Sequence, residues 1–311
     1  MDADTLSVIV VNHNGKDFLK NCLDSLRIQT YKPAEIIVVD NASSDSSKEL
    51  VRGEFPEVEL LENERNLYFA KAMNQGIRKA TGDWILCLNN DVRLDEKFLK
   101  ECMKLPKEDG KIGMVCGKIY SMRWSRFLDS CGQNLSRART GEDRGYRRRD
   151  DGRFDSGGYV FGPGGVAPLY RREMLEEVKI GDEYFDEDYE IFYEDLDIAW
   201  RAQKLGWKCF YNPRAIAYHY RSGSTLGITE PNKWPRYIFP HLKDDIKYLV
   251  VVNRYRTILK NEDLKDFFCN FFHILFHELK VWGYILIFDW RLLVKLLYEL
   301  PKVKTSIKKR C

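Results

Sequence analysis

The 311-residue sequence has little net charge, 50 Lys and Arg against 47 Asp and Glu. That balance gives no global basic field, so a nucleic-acid partner is not expected. Its eight cysteines, at positions 22, 87, 102, 116, 131, 209, 269 and 311, include no Cys-x-x-Cys pair and lack the dense spacing of a disulfide scaffold. They read as reduced, mostly buried thiols. The opening Met1-Asp2-Ala3-Asp4-Thr5-Leu6 is acidic and runs straight into a strand, without the basic and apolar regions of a signal peptide. The expectation is a catalytic part in the cytoplasm. Long uncharged apolar runs are missing too: Phe267 to Leu300 is rich in Phe, Leu, Ile, Trp and Tyr, but Glu278, Lys280, Asp289 and Arg291 interrupt it. It falls short of the roughly 18 uncharged residues of a spanning helix, and no span is expected.

What is present suits a large packed core, with 44% hydrophobic and 13% aromatic residues. Leu6 to Val11 is a β-branched run ending in Asn12-His13-Asn14-Gly15, followed by Leu19, Cys22, Leu23 and Leu26 at helical spacing. Glu35 to Asp40 repeats the strand, and Ser46 with Glu49 has the spacing of a capping box for the next helix. A third strand is expected over Val58 to Glu62, a helix over Phe69 to Ala80, and a fourth strand over Trp84 to Leu88, leading into Asn89-Asn90-Asp91. This alternation predicts parallel strands with helical crossovers, whose ligands lie outside the carboxyl ends of the strands. Asn12, Asp40 and Asp91 fall at such ends.

Regularity weakens after Met114. Arg137 to Arg153 holds seven arginines, four acids and three glycines and reads as a mobile loop, either a solvated surface or a clamp for phosphates. Gly157-Gly158 and Gly162-Pro163-Gly164-Gly165 precede a helix starting near Arg171 and either make turns or let backbone approach a ligand. From about Lys243 the composition turns aromatic and amphipathic, and Lys302, Lys304, Lys308, Lys309 and Arg310 close the chain with no nearby acid. That pattern suits an anchor on anionic lipid, or helices packed on the core or in a homodimer.

Two acidic segments carry the chemistry. Leu88-Asn89-Asn90-Asp91 offers a carboxylate at a strand end, and Phe192-Tyr193-Glu194-Asp195-Leu196-Asp197 opens a helix that Gly206 is expected to stop. Acids in a first turn are ordinary dipole complements worth only about 0.3–1 kcal/mol. Phe192 and Tyr193 add partial burial, which raises a carboxyl toward a useful base. His219, a structural histidine or a metal ligand, ends a short apolar strand, and Arg221, Ser222 and Ser224 beside it suit diphosphate oxygens. A metal held against a diphosphate with a separate base is the chemistry of sugar transfer from a nucleotide.

In these segments the chain resembles family 2 glycosyltransferases of the GT-A fold, in particular their non-processive rhamnosyl- and galactofuranosyl-transferring branch. The resemblance covers roughly residues 5 to 260, through Val8 to Asn12, Val38 to Asp45, Asn63 to Gly76, Leu88 to Asp91 and Phe192 to Trp207 with His219. It implies an α/β GT-A (Rossmann-like) architecture, a mostly parallel sheet with helices on both faces and a C-terminal helical extension. The catalytic domain would span 1–242, with a nucleotide-sugar half of about 1–115 and an acceptor half of about 116–242, and the amphipathic extension 243–311. By the same resemblance Asp40 recognises the nucleobase with Val11 and Asn14, while Asn12, Asn66, Asn74, Asn89, Asn90, Arg221 and Ser222 complete the donor site. Asp91 and His219 hold Mn2+ or Mg2+. Asp195 is the catalytic base, with Glu194, Asp197, Gly164 and Gly165 supporting it or the acceptor.

Two departures stand out. The family's Asp-x-Asp is Asn89-Asn90-Asp91 here, leaving one carboxylate for the metal, and Tyr68 stands where glycine is frequent. There is no Gln-x-x-Arg-Trp of the processive synthases. The expected activity is therefore metal-dependent, inverting transfer of one hexosyl or rhamnosyl unit from a nucleoside-diphosphate sugar to a glycan or lipid-linked acceptor. The expected setting is cell-envelope polysaccharide synthesis, peripheral on the inner face of the cytoplasmic membrane. A nucleotidyltransferase is the alternative enzyme, but Asn12-His13-Asn14-Gly15-Lys16 is a poor phosphate loop. A membrane-docked scaffold that binds the donor without consuming it is the non-catalytic alternative.

Overall fold

The computed structural model describes residues 4–106, 109–222, 239, 242 and 244–310. The N-terminal half alternates strand and helix: β1 (Leu6–Asn12), α1 (Lys16–Arg27), β2 (Glu35–Asp40), α2 (Ser47–Glu54), β3 (Glu59–Glu62), α3 (Tyr68–Lys79) and β4 (Trp84–Asn89). The strands pair in parallel, with Asn12 level with Asp40 and Val11 level with Asn89. Period-two alternation decides the layers. Val8 and Val10 of β1 pack with Leu19, Leu23 and Leu26 of α1, while Ile9 packs on the other face with Met73 and Ile77 of α3. Gly76 lets α3 close on β1, since a methyl there would lie 2.4 Å from the Ile9 side chain.

The second half adds β5 (Val92–Leu94), α4 (Phe98–Cys102), β6 (Ile112–Ser121), β7 (Leu128–Ser130), β8 (Gln133–Leu135), β9 (Gly141–Asp143), β10 (Gly158–Val160), β11 (Leu169–Arg171), α5 (Arg172–Val178), α6 (Glu194–Lys204) and β12 (Lys208–His219). Strand order in the main sheet is β10-β12-β6-β11-β4-β1-β2-β3, with β5 on β12 and β7 on β6. β11 enters antiparallel between β4 and β6, making the sheet mixed but mostly parallel. The expected α/β class and layer arrangement hold. The strand ending at His219 is not short: it runs 12 residues and pairs with β6 across a bulge at Asn212 to Ile216.

Beyond the sheet come α7 (Asp244–Asn261), α8 (Leu264–Phe288), α9 (Trp290–Glu299) and a 3-10 turn over Leu300–Lys309. Two compact units result, Met1–Asn134 with Asp143–Tyr220, and Leu135–Glu142 with Arg221–Cys311. The second has its own small core around Val252, Val281, Ile285, Leu292 and Leu296.

Several local expectations are corrected. Ser46 does not cap α2: it takes a left-handed φ of 62°, and Asp45 accepts from the Ser47 amide instead. The stretch Arg137 to Arg153 is no free loop, because Arg144, Arg147, Arg148 and Asp150 form backbone hydrogen bonds with residues 126–132. Arg139 is buried, donating to Glu262 at 2.7 Å. In the basic tail, Lys302 pairs with Glu299 at 3.0 Å and Arg310 with Asp263 at 3.7 Å. Finally, α8 is one unbroken helix of 25 residues, long and apolar enough to cross a membrane by length and composition, with 17% of its apolar window buried. Glu278 does not break it, because Arg254 and Tyr255 donate to its carboxylate.

Candidate active site

The carboxyl ends of β1, β2 and β4 share one hydrogen-bond network. Asp40, fully buried, accepts from the Asn12 amide at 3.0 Å and from the Ser43 N–H at 2.8 Å. Asn12 in turn accepts from Asn90 at 2.7 Å, so the residue before Asp91 is tied through Asn12 to Asp40. Asn14 accepts from the Ser44 amide at 2.8 Å, and Val11 lies half-buried one residue before the end of β1. Asn66 accepts from the Tyr68 amide at 2.8 Å. Tyr68 itself sits at φ 61°, a left-handed conformation in which glycine is unstrained.

Asp91 and His219 meet where β5 runs antiparallel to β12. The Tyr220 amide donates to the Asp91 carbonyl at 3.1 Å, and the Asp91 carboxylate lies 3.1 Å from His219 Nε2. The other ring nitrogen, Nδ1, donates to Asp129 at 2.8 Å, and all three side chains are buried. Burial pulls the imidazole toward neutrality, but hydrogen bonds to Asp129 and Asp91 outweigh it and raise His219 to about 9. The pocket thus favours a positive charge between two carboxylates. With Nδ1 fixed by Asp129, Nε2 faces Asp91, the arrangement by which carboxylates orient metal-binding histidines. One carboxylate and one imidazole suit a divalent cation whose remaining ligands come from the diphosphate. Among the described residues no group of three or more His, Cys, Asp or Glu is placed to hold a metal alone.

The second acidic segment opens α6. Phe192 and Tyr193 occupy left-handed φ values of 68° and 73° directly before Glu194. Consecutive side-chain-bearing residues in this region store strain and persist only where surroundings over-determine them. Asn74 supplies part of that restraint: its amide donates to the Phe185 carbonyl at 2.8 Å and accepts from the Phe185 N–H at 2.9 Å. The Phe69 amide donates to Glu190 O at 3.3 Å. Asp197 is fully buried and accepts from Arg201 at 3.0 Å, while Arg201 also donates to Tyr184 O. Asn74 and Asp197 therefore brace the segment from within the core.

Glu194 and Asp195 project from this braced turn. Burial raises Asp195 to about 6, with the charge of Asp143 adding to it, and raises Glu194 to about 8, with Asp195 adding to it. Gln133 donates to Asp195 Oδ2 at 3.1 Å and the Leu196 amide to Oδ1 at 2.8 Å. One oxygen of the buried Glu194 has no hydrogen-bond partner. Gly165 lies against Asp195, and Gly164, at φ 72°, lies beside Asp143 and Ser130. The next residue, Val166, accepts from the Asn89 amide at 3.2 Å, so the glycine turn joins Asp195 to the strand end that precedes Asp91. Arg221 and Ser222 belong to the second compact unit, and Ser224 lies outside the described residues.

Sequence reasoning missed Asp129, Asp143 and Gln133. Asp143 sits in the arginine-rich stretch, where no local pattern singles it out, and none distinguishes the other two.

A mostly parallel sheet with a buried acid at the end of β2, a strand-end carboxylate facing a histidine, and a buried acid pair opening a helix gives the chain a GT-A architecture. The glycosyl transferase family 2 model matches residues 7–179, and the chain belongs to that family. It is 26% identical over 222 residues to the poly-beta-1,6-N-acetyl-D-glucosamine synthase of Staphylococcus aureus strain MSSA476, covering 70% of this chain and 50% of that protein. The chain thus spans about half the length of the curated relatives it matches. The S. aureus TarS 1–349 structure in complex with UDP-GlcNAc superposes with a TM-score of 0.62 at 17% identity, covering 97% of this chain and 81% of that one. GalNAc-T7 with UDP, GalNAc and Mn2+ gives 0.62 at 15%, covering 83% and 48%. A Pyrobaculum calidifontis mannosyltransferase with GDP-Man and Mn2+ gives 0.56 at 16%, covering 97% and 74%. None of these names points to the rhamnosyl or galactofuranosyl branch.

Proposed function

We propose that the protein moves one sugar, with inversion, from a UDP-linked donor to a hydroxyl of a glycan or lipid-linked acceptor in cell-surface polysaccharide synthesis. The observation that carries this reading is Asp195, a carboxyl raised by burial and fixed by Gln133 and the Leu196 amide, joined through Gly165 and Val166 to the strand end bearing Asp91. Asp195 takes the proton of the acceptor hydroxyl as its oxygen attacks the anomeric carbon. The bond from that carbon to the diphosphate breaks, and the nucleoside diphosphate departs with the electron pair. No covalent sugar–enzyme intermediate is formed.

Asp40 holds the nucleobase side of the donor and Asn12 couples it to Asn90. Asp91 and His219 would hold Mn2+ or Mg2+, which when bound would supply positive charge against the diphosphate leaving group. Asp129 keeps the Nε2 face of His219 turned to Asp91. UDP is the first nucleotide to test, because UDP or UDP-GlcNAc is present in two of the three similar structures named above, the third holding GDP-Man. With UDP-GlcNAc, Mn2+ and a panel of glycan acceptors, wild-type protein should release UDP, and Asp195→Asn should lower kcat by about 10³-fold while donor binding persists. Equal turnover by both proteins would remove Asp195 from the role of base.

A further inference from the structure

We infer that the second compact unit docks on an anionic lipid surface through the outward faces of α8 and α9. This reading rests on the C-terminal helices alone and stands or falls separately from the transfer reaction. In a soluble packed helix the apolar stripe faces inward. α8 is apolar on its outward face as well. Leu264, Phe268, Phe272, Leu275, Leu279 and Leu286, spaced along one face, are between 40% and 79% exposed. The inward face carries buried Ile274, Val281 and Ile285 together with Glu278, whose carboxylate accepts from Arg254 and Tyr255. α9 continues the pattern: Leu292 and Leu296 are buried, while Trp290, Val294, Leu297 and Tyr298 are 58–71% exposed.

Such a surface is far more apolar than water tolerates over so many adjacent large side chains, and the charge around it selects its occupant. Residues 264–310 hold nine Lys and Arg against four Asp and Glu. Two of those acids, Glu278 and Asp289, are paired inside the unit with Arg254 and Lys247. Two lysine ammonium groups sit over aromatic rings, Lys280 Nζ 4.3 Å from the Phe276 ring centre and Lys302 Nζ 4.2 Å from that of Tyr298. Aromatic bodies sunk among acyl chains and ammonium heads raised to the phosphates is the arrangement of an interfacial helix. A second copy on the same face would bring two basic rims together, whereas anionic headgroups neutralise them. A spanning α8 would carry the Glu278–Arg254–Tyr255 group into hydrocarbon, so the helix lies in the interface, sunk about 5–10 Å.

Flotation of the full chain with vesicles tests this. Vesicles of phosphatidylcholine mixed with phosphatidylglycerol should carry the protein, phosphatidylcholine alone should carry much less, and added salt should release it. Phe272→Glu with Leu279→Glu should abolish flotation while leaving the melting temperature unchanged, because both positions are exposed. Lys280→Glu should weaken partitioning by about fivefold or more without touching the apolar stripe. No flotation on anionic vesicles, flotation indifferent to lipid charge and to these variants, or retention after alkaline carbonate washing would each overturn the proposal. The last would mark a spanning helix, and a stable dimer that fails to float would mark a second copy on the face.

Discussion

Gly165 lies directly against the carboxylate of Asp195: a methyl group added at Gly165 would sit 3.3 Å from Oδ2. That contact is tighter than side chains ordinarily make, so the carboxylate must shift by a few tenths of an ångström to admit it. Gly165→Ala is expected to lower kcat by about 10- to 100-fold, since small displacements of a reacting group are costly. Donor affinity measured by calorimetry should be unchanged. An unaltered kcat would show that the glycine serves the turn alone.

Asp129 holds His219 Nδ1 at 2.8 Å. Asp129→Asn keeps the shape but loses the charge, and should weaken Mn2+ binding in the presence of UDP by about 10- to 100-fold. Titration calorimetry reads this directly, and the metal-free protein should keep its secondary structure.

Much of this was legible in the chain. β1 to β4 and the helices between them follow patterns of period 2 and 3.6 within short windows; Asp40 and Asp91 stand where the strand patterns end, and Asp195 opens the helical pattern of α6. Asp129 was not legible, because its role depends on β7 pairing with β6 and facing β12 from across the sheet. Asn74 lies in a segment that resembles a donor-binding motif, yet its amide is engaged by Phe185, more than a hundred positions away. Ser46 has the right spacing to cap α2, but spacing carries no information about its left-handed backbone. The apolar outward face of α8 was hidden for a related reason, since composition does not say which residues of a helix turn inward.

The pH dependence of transfer follows from the surroundings of Asp195. The base works in its ionised form, and burial raises its pKa to about 6. kcat should therefore fall about tenfold per pH unit below 6, where an ordinary carboxylate would hold its activity to near 4. Removing the neighbouring negative charge with Asp143→Asn should move this limb to lower pH. Replacing Gln133 by Leu removes a hydrogen bond to the ionised form and should move it higher. Limbs that move the opposite way would exclude Asp195 as the titrating group.

Tyr68 holds a left-handed backbone at half exposure. Tyr68→Gly should raise stability by about 1 kcal/mol in denaturant melts, the relief of the left-handed strain being partly offset by the greater freedom of glycine in the unfolded chain. A loss of stability would mean that the ring contributes packing on this surface.

The central claim is that Asp91 and His219 build a metal-dependent donor site distinct from the base. Calorimetry of UDP and UDP-GlcNAc, with and without Mn2+, on wild type, Asp91→Ala and Asp195→Asn tests it most directly. The account predicts binding that requires Mn2+, is lost in Asp91→Ala and survives in Asp195→Asn. Nucleotide binding that ignores Mn2+ and persists in Asp91→Ala would contradict it.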